Sequence, residues 1–273
     1  MLRFFQFFRN LFKLSPLLSV TYDSGGRKKP TIILVHGIAA TSKTWDLLIK
    51  ELGTKKYRII AVDILGFGQS PKPTGCEYTV DDHTASLYRT IRKMKVRKPF
   101  KLVGHSMGAI VVAHYGYLFS DEVSQLYLLS PPIYLPKSDI QNKFLQTRTD
   151  LYLNAYKFLS ENKKFTIDNS QIIRKLLRIT DGVDVNEENW DSFRLSLINT
   201  IVNQDVFRDI INIKIPIEVV FGNMDEFIIQ EIVKKLEEFK HVRITKLSNV
   251  DHVVGIKYAK EVVKIINNLS IES

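Results

Sequence analysis

One stretch of the chain combines residue types and spacing that suit nucleophilic catalysis. In Gly104-His105-Ser106-Met107-Gly108 a serine stands between two glycines, with a short apolar run before it and a helical pattern after it. A strand, a tight turn and a helix would place this serine at the apex of a strained turn, where only small residues fit two positions away on either side. Its hydroxyl would then lie at a helix N-terminus, where backbone N–H groups favour developing negative charge. The alternative is a glycine-rich turn whose serine merely caps the helix.

A serine hydroxyl is a weak nucleophile, and it needs a base within reach that is itself oriented by a carboxylate. Two later loops carry such groups. Asp225 and Glu226 follow the apolar run 215–221, and His252 follows the run 242–247. Ligand-binding side chains of a parallel sheet lie just after the carboxyl ends of its strands. The order Ser, Asp, His is also the one expected when the nucleophile sits in a G-x-S-x-G turn.

The segments that position these residues alternate between strand and helix patterns. Such alternation predicts right-handed βαβ units and a mostly parallel sheet. The alternation stops between residues 133 and 212, where helical patterns at 138–158, 170–180 and 186–211 occur without a convincing strand. We therefore expect a helical lid inserted between two halves of one sheet. The predicted strands are an edge strand at 18–22 and the strands 31–35, 57–62, 100–103, 123–129, 215–221 and 242–247.

Several ordered motifs together resemble the α/β-hydrolase superfamily, and within it the lidded serine esterase and lipase-like group. The resemblance runs from about Leu18 to the C-terminus. Its motifs are His36-Gly37 after an early strand, D-x-x-G-x-G-x-S from Asp63 to Ser70, the GHSMG turn, G-x-x-D from Gly222 to Asp225, and the late His252.

The resemblance implies an α/β-hydrolase fold, a mostly parallel doubly wound sheet with an inserted helical cap. The implied domains are a core of residues 16–132 and 213–273 and a cap of residues 133–212, preceded by an amphipathic helix at residues 1–15. The cap would cover the strand ends that carry the motifs. It would therefore shape the substrate pocket.

Carried over by position, the resemblance implies a Ser106, Asp225 and His252 triad. Ser106 would be the nucleophile, His252 the general base and then acid, and Asp225 the carboxylate that orients the histidine. The backbone N–H groups of Ile38 and Met107 would form the oxyanion hole. The implied activity is hydrolysis of a small-molecule carboxylic ester, acyl-lipid or acyl-chain esters included, through an acyl-enzyme, without a metal or an organic cofactor.

Some features keep alternatives open. Asp251 stands where this family usually has glycine, and its carboxylate could compete for the catalytic imidazole. The same triad can serve carbon–carbon bond hydrolysis, acyl transfer or perhydrolysis, and the same fold can serve as a non-catalytic receptor. Epoxide opening and carbon–halogen cleavage need an aspartate nucleophile in this family, so Ser106 argues against both.

The remaining polar candidates have structural interpretations. We expect His36 to support the oxyanion turn and Asp63 to bond the backbone of its own glycine-rich turn. His105 is interpreted as the variable residue beside the nucleophile, and His83, His114 and His241 as non-catalytic.

Charge and cysteine content bear on location and partners. The net charge is +10 over 273 residues, and the first 30 residues carry half of it. The rest of the excess is mild, so a nucleic-acid partner is not predicted. The one cysteine, Cys76, precludes an internal disulfide and fits a reducing, cytoplasmic environment.

Residues 1–15 combine a wide aromatic face with a narrow basic one. The segment is too short and too charged to span a bilayer, which takes about 20 apolar residues. It fits an interfacial helix in peripheral contact with an anionic membrane. A helix packed on the protein's own surface and a cleaved transit peptide are the alternatives.

Overall fold

Seven strands form one sheet in the computed structural model, which describes residues 15–176 and 185–268. The strand order is β1-β3-β2-β4-β5-β6-β7, and only the edge strand β1 runs antiparallel to its neighbour. The predicted mostly parallel sheet is therefore confirmed. Its strands are β1 Val20–Asp23, β2 Thr31–Val35, β3 Arg58–Val62, β4 Phe100–His105, β5 Val123–Leu129, β6 Ile217–Gly222 and β7 Val242–Leu247.

Helices connect the strands and cover both faces of the sheet. Short 3₁₀ turns at Ser42–Trp45, Ser120–Glu122, Lys137–Asp139 and Lys235–Glu238 complete the connections. The α-helices of the described residues are α1 Asp46–Leu52, α2 Val80–Lys93, α3 Met107–Leu118, α4 Lys143–Glu161, α5 Lys163–Asp168, α6 Ser170–Leu176, α7 Trp190–Ser196, α8 Val206–Asn212, α9 Gln230–Lys234 and α10 Ile256–Asn268.

The core consists of one apolar layer on each face of the sheet. Every residue of β2 and β3 is buried, as expected for the continuous apolar runs of strands covered on both faces. One layer holds residues of α2, α3 and the segment between β5 and β6. The other packs α1 and α10 against the sheet through Trp45, Leu48, Tyr258 and Val262. Strand ends are thereby fixed, and the loops that follow them start from rigid positions.

Helix α3, which follows Ser106, is buried along almost its whole length. All residues from Met107 to Gly116 are buried, and apart from His114 the helix presents apolar or small side chains on every side. A helix that is hydrophobic all round belongs in a core. It packs against β4, β5 and α8, and it gives the Ser106 turn a rigid base.

Within the described residues, every element between β5 and β6 is helical, and we call this helical segment the cap. The predicted helix 138–158 instead begins at Lys143. The Asn142 side chain accepts hydrogen bonds from the N–H groups of Phe144 at 2.9 Å and Leu145 at 3.3 Å. Asn142 is thus the N-cap residue, and it fixes the start of the helix. The predicted helix 170–180 extends beyond Leu176 into residues outside those described.

The prediction of a single helix at 186–211 was wrong. Helix α7 runs into a π-helical turn, Leu197–Val202, and a short linker then leads to α8. In the π-helical turn, the Asn199 amide donates to the carbonyl of Glu77 at 2.6 Å, and the Thr200 hydroxyl donates to that of Tyr78 at 2.8 Å. These tertiary hydrogen bonds fix the interruption against the loop before α2.

A buried ionic cluster ties α8 to the core. His114 of α3 contacts Asp209 of α8 through Nδ1 at 2.7 Å and Asp81 of α2 through Nε2 at 2.8 Å. Because carboxylates only accept hydrogen bonds, both ring nitrogens carry protons. Burial opposes this charge, but the two carboxylates outweigh burial and raise the pKa of His114 to about 9. His114 therefore holds three helices together as an imidazolium.

The predicted amphipathic helix at the N-terminus falls on residues 1–14, which lie outside those described, and on Ser15. Over residues 15–176 and 185–268, no helix has both the length and the apolar character needed to cross a bilayer.

Candidate active site

Ser106 lies in a strained turn between β4 and α3. Its backbone has φ 52° and ψ −123°, a conformation that side chains with a Cβ rarely adopt. A Cβ added to Gly104 would lie 2.3 Å from the carbonyl oxygen of Gly108, and one added to Gly108 would lie 2.2 Å from that of Val35. The two glycines of G-x-S-x-G are thus required by close backbone contact, as the motif predicts.

Asp225 and His252 are hydrogen-bonded to each other. His252 Nδ1 lies 3.0 and 2.9 Å from the two carboxylate oxygens of Asp225, so Nδ1 carries the proton and donates it. Asp225 follows β6 and His252 follows β7, so their loops meet at the carboxyl edge of the sheet. Nε2 of His252 is left as the acceptor in the neutral ring.

Asp225 is buried, yet its pKa is lowered. Burial alone would raise it, but the His252 ring, a hydrogen bond from Ser130 and the N–H of Phe227 outweigh burial. The Phe227 N–H lies 3.1 Å from Asp225 Oδ1. Ser130 Oγ is also 3.0 Å from the hydroxyl of Tyr258, which donates to the carbonyl of Val220 at 2.7 Å. The carboxylate is therefore ionised at neutral pH and held in one orientation.

Close backbone contact between the Asp225 and His252 loops explains the glycine of G-x-x-D. A Cβ added to Gly222 would lie 1.9 Å from the carbonyl oxygen of Val250. The same carbonyl accepts from the Met224 N–H at 3.0 Å. These contacts fix the distance between the two loops before any side chain is considered.

The two other carboxylates near the site have different surroundings. Glu226 is exposed, and its backbone carbonyl rather than its carboxylate makes contacts with the cap. Asp251 Oδ1 accepts from the N–H of Val253 at 3.1 Å, so this side chain caps its own turn. The Nδ1 of His252 faces Asp225. Of the candidate acids, Asp225 is the one that the structure brings to the histidine.

The loop after β2 is held by His36 and Asp63. His36 Nε2 accepts from the Ile64 N–H at 3.0 Å, so Nδ1 carries the proton and donates to the carbonyl of Gly37 at 2.8 Å. Burial lowers the pKa of His36, and the ring is neutral. Asp63 accepts from the N–H groups of Ser42 and Gln69, both at 2.8 Å. His36 thus bonds the turn that contains Ile38, and Asp63 bonds the backbone of its own glycine-rich turn, as predicted, and also the N–H of Ser42.

A cavity at the carboxyl edge of the sheet is lined by several of the candidate residues. Ser106, His252 and Ile38 line it, whereas the Met107 side chain is buried in the core. Met107 is the first residue of α3, so its N–H has no partner within the helix. The rest of the lining is mostly apolar: Gly37, Ala40, Thr44, His105, Pro132, Tyr156, Leu159, Phe193, Leu197, Ile201, Phe227, Val253 and Val254.

Ser106 and His252 share this cavity, but within the described residues no hydrogen bond joins the serine hydroxyl to the His252 ring. Catalytic hydrogen bonds are often long without substrate and tighten when it binds. The structure thus places the oriented imidazole of His252 and the half-buried Ser106 on the wall of one mostly apolar cavity.

Helix α4 of the cap is held against the Asp225 loop. Tyr152 donates its hydroxyl proton to the carbonyl of Glu226. The Arg148 guanidinium lies 3.5 Å from the carbonyls of Glu226 and Ile228. The cap is therefore hydrogen-bonded to the backbone of the residue after Asp225.

His105 has a contact that its position beside the nucleophile did not reveal. Its Nε2 lies 2.8 Å from the backbone carbonyl oxygen of His252, and the two rings are 4.9 Å apart. Burial, and then the neighbouring His252, lower the pKa of His105 to about 3. The ring is therefore neutral, and its Nε2–H donates to the loop that carries His252. The spacing of the motif gives no signal for this bond.

Replacing His105 with Phe is expected to lower kcat by about 10-fold or more, with little change in KM. The ring keeps its shape, but the buried His252 carbonyl loses its donor, which costs about 1–3 kcal/mol. His105→Gln, which can present an amide N–H at a similar reach, should recover most of kcat. Steady-state kinetics of both variants, with their Tm values, provide the test. Equal losses in both would contradict this positioning role.

Comparisons with known proteins identify the fold family of the chain. The family model described as the alpha/beta hydrolase fold matches residues 30–257 of this chain. "Probable lysophospholipase BODYGUARD 4" of Arabidopsis thaliana is 34% identical over 108 residues, which are 39% of this chain and 26% of that protein. The chain thus matches about a quarter of the length of this plant relative. The monoacylglycerol lipase ABHD6 of Homo sapiens is 23% identical over 90% of this chain and 77% of its own.

Among solved structures, an esterase from Exiguobacterium antarcticum superposes with a TM-score of 0.71 at 18% identity, covering 94% of this chain and 96% of that one. That similarity shows the fold. Since the family model covers well over half of its length, the chain belongs to the α/β-hydrolase fold family.

Proposed function

We propose that the protein hydrolyses carboxylic esters through an acyl-enzyme formed on Ser106. The observation that carries the proposal is the apolar cavity lined by both Ser106 and His252, with His252 bonded to an ionised Asp225. A serine at a strained turn, in one cavity with an imidazole oriented by a carboxylate, is the arrangement that acyl transfer requires.

In the proposed reaction, Ser106 Oγ attacks the ester carbonyl carbon while His252 Nε2 takes the hydroxyl proton. The Asp225 carboxylate keeps the proton on Nδ1 and stabilises the imidazolium. The N–H groups of Ile38 and Met107 stabilise the negative charge on the carbonyl oxygen. His252 then gives its proton to the leaving alcohol, and the acyl group stays on Ser106. Water repeats the sequence, releases the carboxylic acid and restores the serine.

The composition of the cavity favours an acyl-chain ester. Aliphatic and aromatic side chains from the cap, such as Leu159, Phe193, Leu197 and Ile201, line the same cavity as Ser106. Burying a methylene in such surroundings gains about 0.8 kcal/mol. The names of the lysophospholipase and monoacylglycerol lipase relatives agree with a lipid-like ester.

The test is hydrolysis of p-nitrophenyl esters from acetate to palmitate. We expect kcat/KM to rise with acyl length until the chain fills the cavity, and then to fall. Inactivation by a fluorophosphonate should accompany turnover. A protein that hydrolyses none of these esters and is not labelled would instead support the receptor alternative.

A further inference from the structure

Basic residues gather at the edge of the sheet opposite the candidate active site. Residues 24–30, 53–57 and 92–99 lead into β2, β3 and β4, and they contain ten Lys or Arg and no Asp or Glu. Because β3, β2 and β4 are neighbours and run parallel, their amino ends lie side by side. We call these ten residues the basic edge: Arg27, Lys28, Lys29, Lys55, Lys56, Arg92, Lys93, Lys95, Arg97 and Lys98.

Hydrogen bonds join the three segments of the basic edge into one surface. Lys29 Nζ donates to the carbonyl of Thr54 at 2.7 Å, and the Arg97 guanidinium donates to the carbonyl of Lys28 at 3.2 Å. All ten residues are exposed except Lys29, which is half-buried. The basic edge therefore presents its positive charge on one side of the molecule.

Nearby carboxylates offset only part of this charge. Lys98 pairs with Glu122, and the rest of the basic edge makes no ion pair within residues 15–176 and 185–268. Residues 269–273 contain one acidic residue, Glu272. Adjoining segments of the chain add three more carboxylates: Asp23, Glu51 and Asp121. Even with all of these counted, the ten cations leave a strongly positive surface.

The N-terminal segment is attached beside the basic edge. Arg89, one turn before the end of α2, donates to the carbonyl of Ser15, where the described chain begins. Residues 1–14 contain five Phe, three Leu and three Lys or Arg, with no Asp or Glu. Large apolar side chains among basic ones suit the boundary between anionic headgroups and acyl chains. The segment thus supplies apolar residues and further positive charge to the same side of the chain.

The chemistry of the basic edge fits a lipid surface better than a nucleic acid. Its three segments contain one aromatic residue, Tyr57, which is buried, so they expose no ring on which a base could stack. A polybasic surface next to an amphipathic segment is typical of proteins that bind anionic lipids. We propose that the basic edge docks the protein onto an anionic phospholipid surface.

Docking at the basic edge is separate from the catalytic cavity. Ser106, Asp225 and His252 follow the carboxyl ends of β4, β6 and β7, whereas the basic edge precedes the amino ends of its strands. The six residues of β4 set the two edges about 17 Å apart. The docking therefore does not rest on the proposed function, and substitutions in the basic edge should leave hydrolysis of a water-soluble ester unchanged.

The test is co-sedimentation with vesicles of phosphatidylcholine, with and without phosphatidylglycerol, using the full chain in a Ser106→Ala background so that the lipid stays intact. One variant removes a charge from each segment of the basic edge: Lys28→Gln, Lys55→Gln and Lys93→Gln. A matched control lowers the net charge equally by replacing exposed lysines elsewhere: Lys143→Gln, Lys246→Gln and Lys260→Gln. Circular dichroism and Tm establish that both variants are folded.

We expect the basic-edge variant to lose at least about 10-fold in partitioning to vesicles with phosphatidylglycerol, and the control variant to bind like its parent. Binding should also fall with added salt and be weaker on pure phosphatidylcholine.

Equal losses in the two variants would overturn the proposal, because net charge alone would then explain the binding. Unchanged binding of the basic-edge variant, or no binding by its parent, would overturn it as well. A double-stranded DNA oligonucleotide is the competing partner. If the parent bound this DNA more tightly than the vesicles, and lost it with the same three lysines, the basic edge would belong to a nucleic acid.

These outcomes are separate from those of the proposed function. Vesicle binding that depends on the basic edge, by a protein that hydrolyses no ester, would contradict only the proposed reaction. Ester turnover by a protein that ignores anionic vesicles would contradict only the docking.

Discussion

Replacement of Ser106 with alanine is expected to lower kcat for ester hydrolysis by at least about 10⁴-fold, because the acyl-enzyme cannot form without the hydroxyl. The fold should be unaffected. The Ser106 side chain makes no capping hydrogen bond to α3, and alanine adopts the same backbone turn. Kinetics with a p-nitrophenyl ester and the Tm of the variant measure both effects.

Thr44→Ala is the matched control, since Thr44 is another hydroxyl residue that lines the cavity. It should retain most of the wild-type kcat. If Thr44→Ala lost as much activity as Ser106→Ala, the loss in both variants would be attributed to the reduced polarity of the cavity and not to the removal of a nucleophile. Residual activity of Ser106→Ala above about one-tenth of wild type would place the nucleophile elsewhere.

Asp225→Asn is expected to lower kcat by about 10³- to 10⁴-fold while leaving KM similar. Asparagine keeps the shape, but its amide N–H₂ can pair with an unprotonated Nδ1 of His252 and so favour the wrong tautomer. It also removes the negative charge that stabilises the imidazolium. Because the pKa of Asp225 is lowered by its partners, the wild-type carboxylate should stay ionised, and active, across the neutral range.

Asp251→Asn and Glu226→Gln serve as controls for Asp225→Asn. Asparagine at 251 can still accept from the Val253 N–H, and Glu226 is exposed, so both variants should keep kcat within about 10-fold of wild type. A fall in Asp251→Asn as large as that in Asp225→Asn would mean that Asp251 orients the histidine.

The sequence predicted the sheet and the site loops well because both depend on local signals. Buried parallel strands are continuous apolar runs, as in β2 and β3, and these can be recognised without knowing their neighbours. The motif glycines can be recognised for a related reason. Gly104, Gly108 and Gly222 each stand where a Cβ would meet backbone atoms, so the need for glycine at each is absolute.

Contacts between distant segments could not be predicted in the same way. The bond from His105 to the backbone carbonyl of His252 joins residues 147 positions apart, and no spacing encodes it. The support of Asp225 by Ser130 likewise depends on β5 and β6 being neighbours. In the cap, hydrogen bonds from Asn199 and Thr200 to the loop before α2 interrupt a pattern that alone predicts one helix.

The exposed apolar side chains of α4 show a different limit of sequence patterns. Phe144, Leu151 and Phe158 have the spacing of a helix core face. In the structure Tyr156 and Leu159 occupy the inner side instead, and the three residues are exposed. Periodicity identifies a face, whereas tertiary packing decides which face is covered.

The most direct test of the proposed mechanism is mass spectrometry after reaction with a fluorophosphonate. The wild-type protein should gain one adduct, and the modified peptide should carry it on Ser106. Ser106→Ala should gain none, and Asp225→Asn should react much more slowly. An adduct on another residue, or no adduct on a protein that hydrolyses esters, would contradict the assignment of Ser106 as the nucleophile.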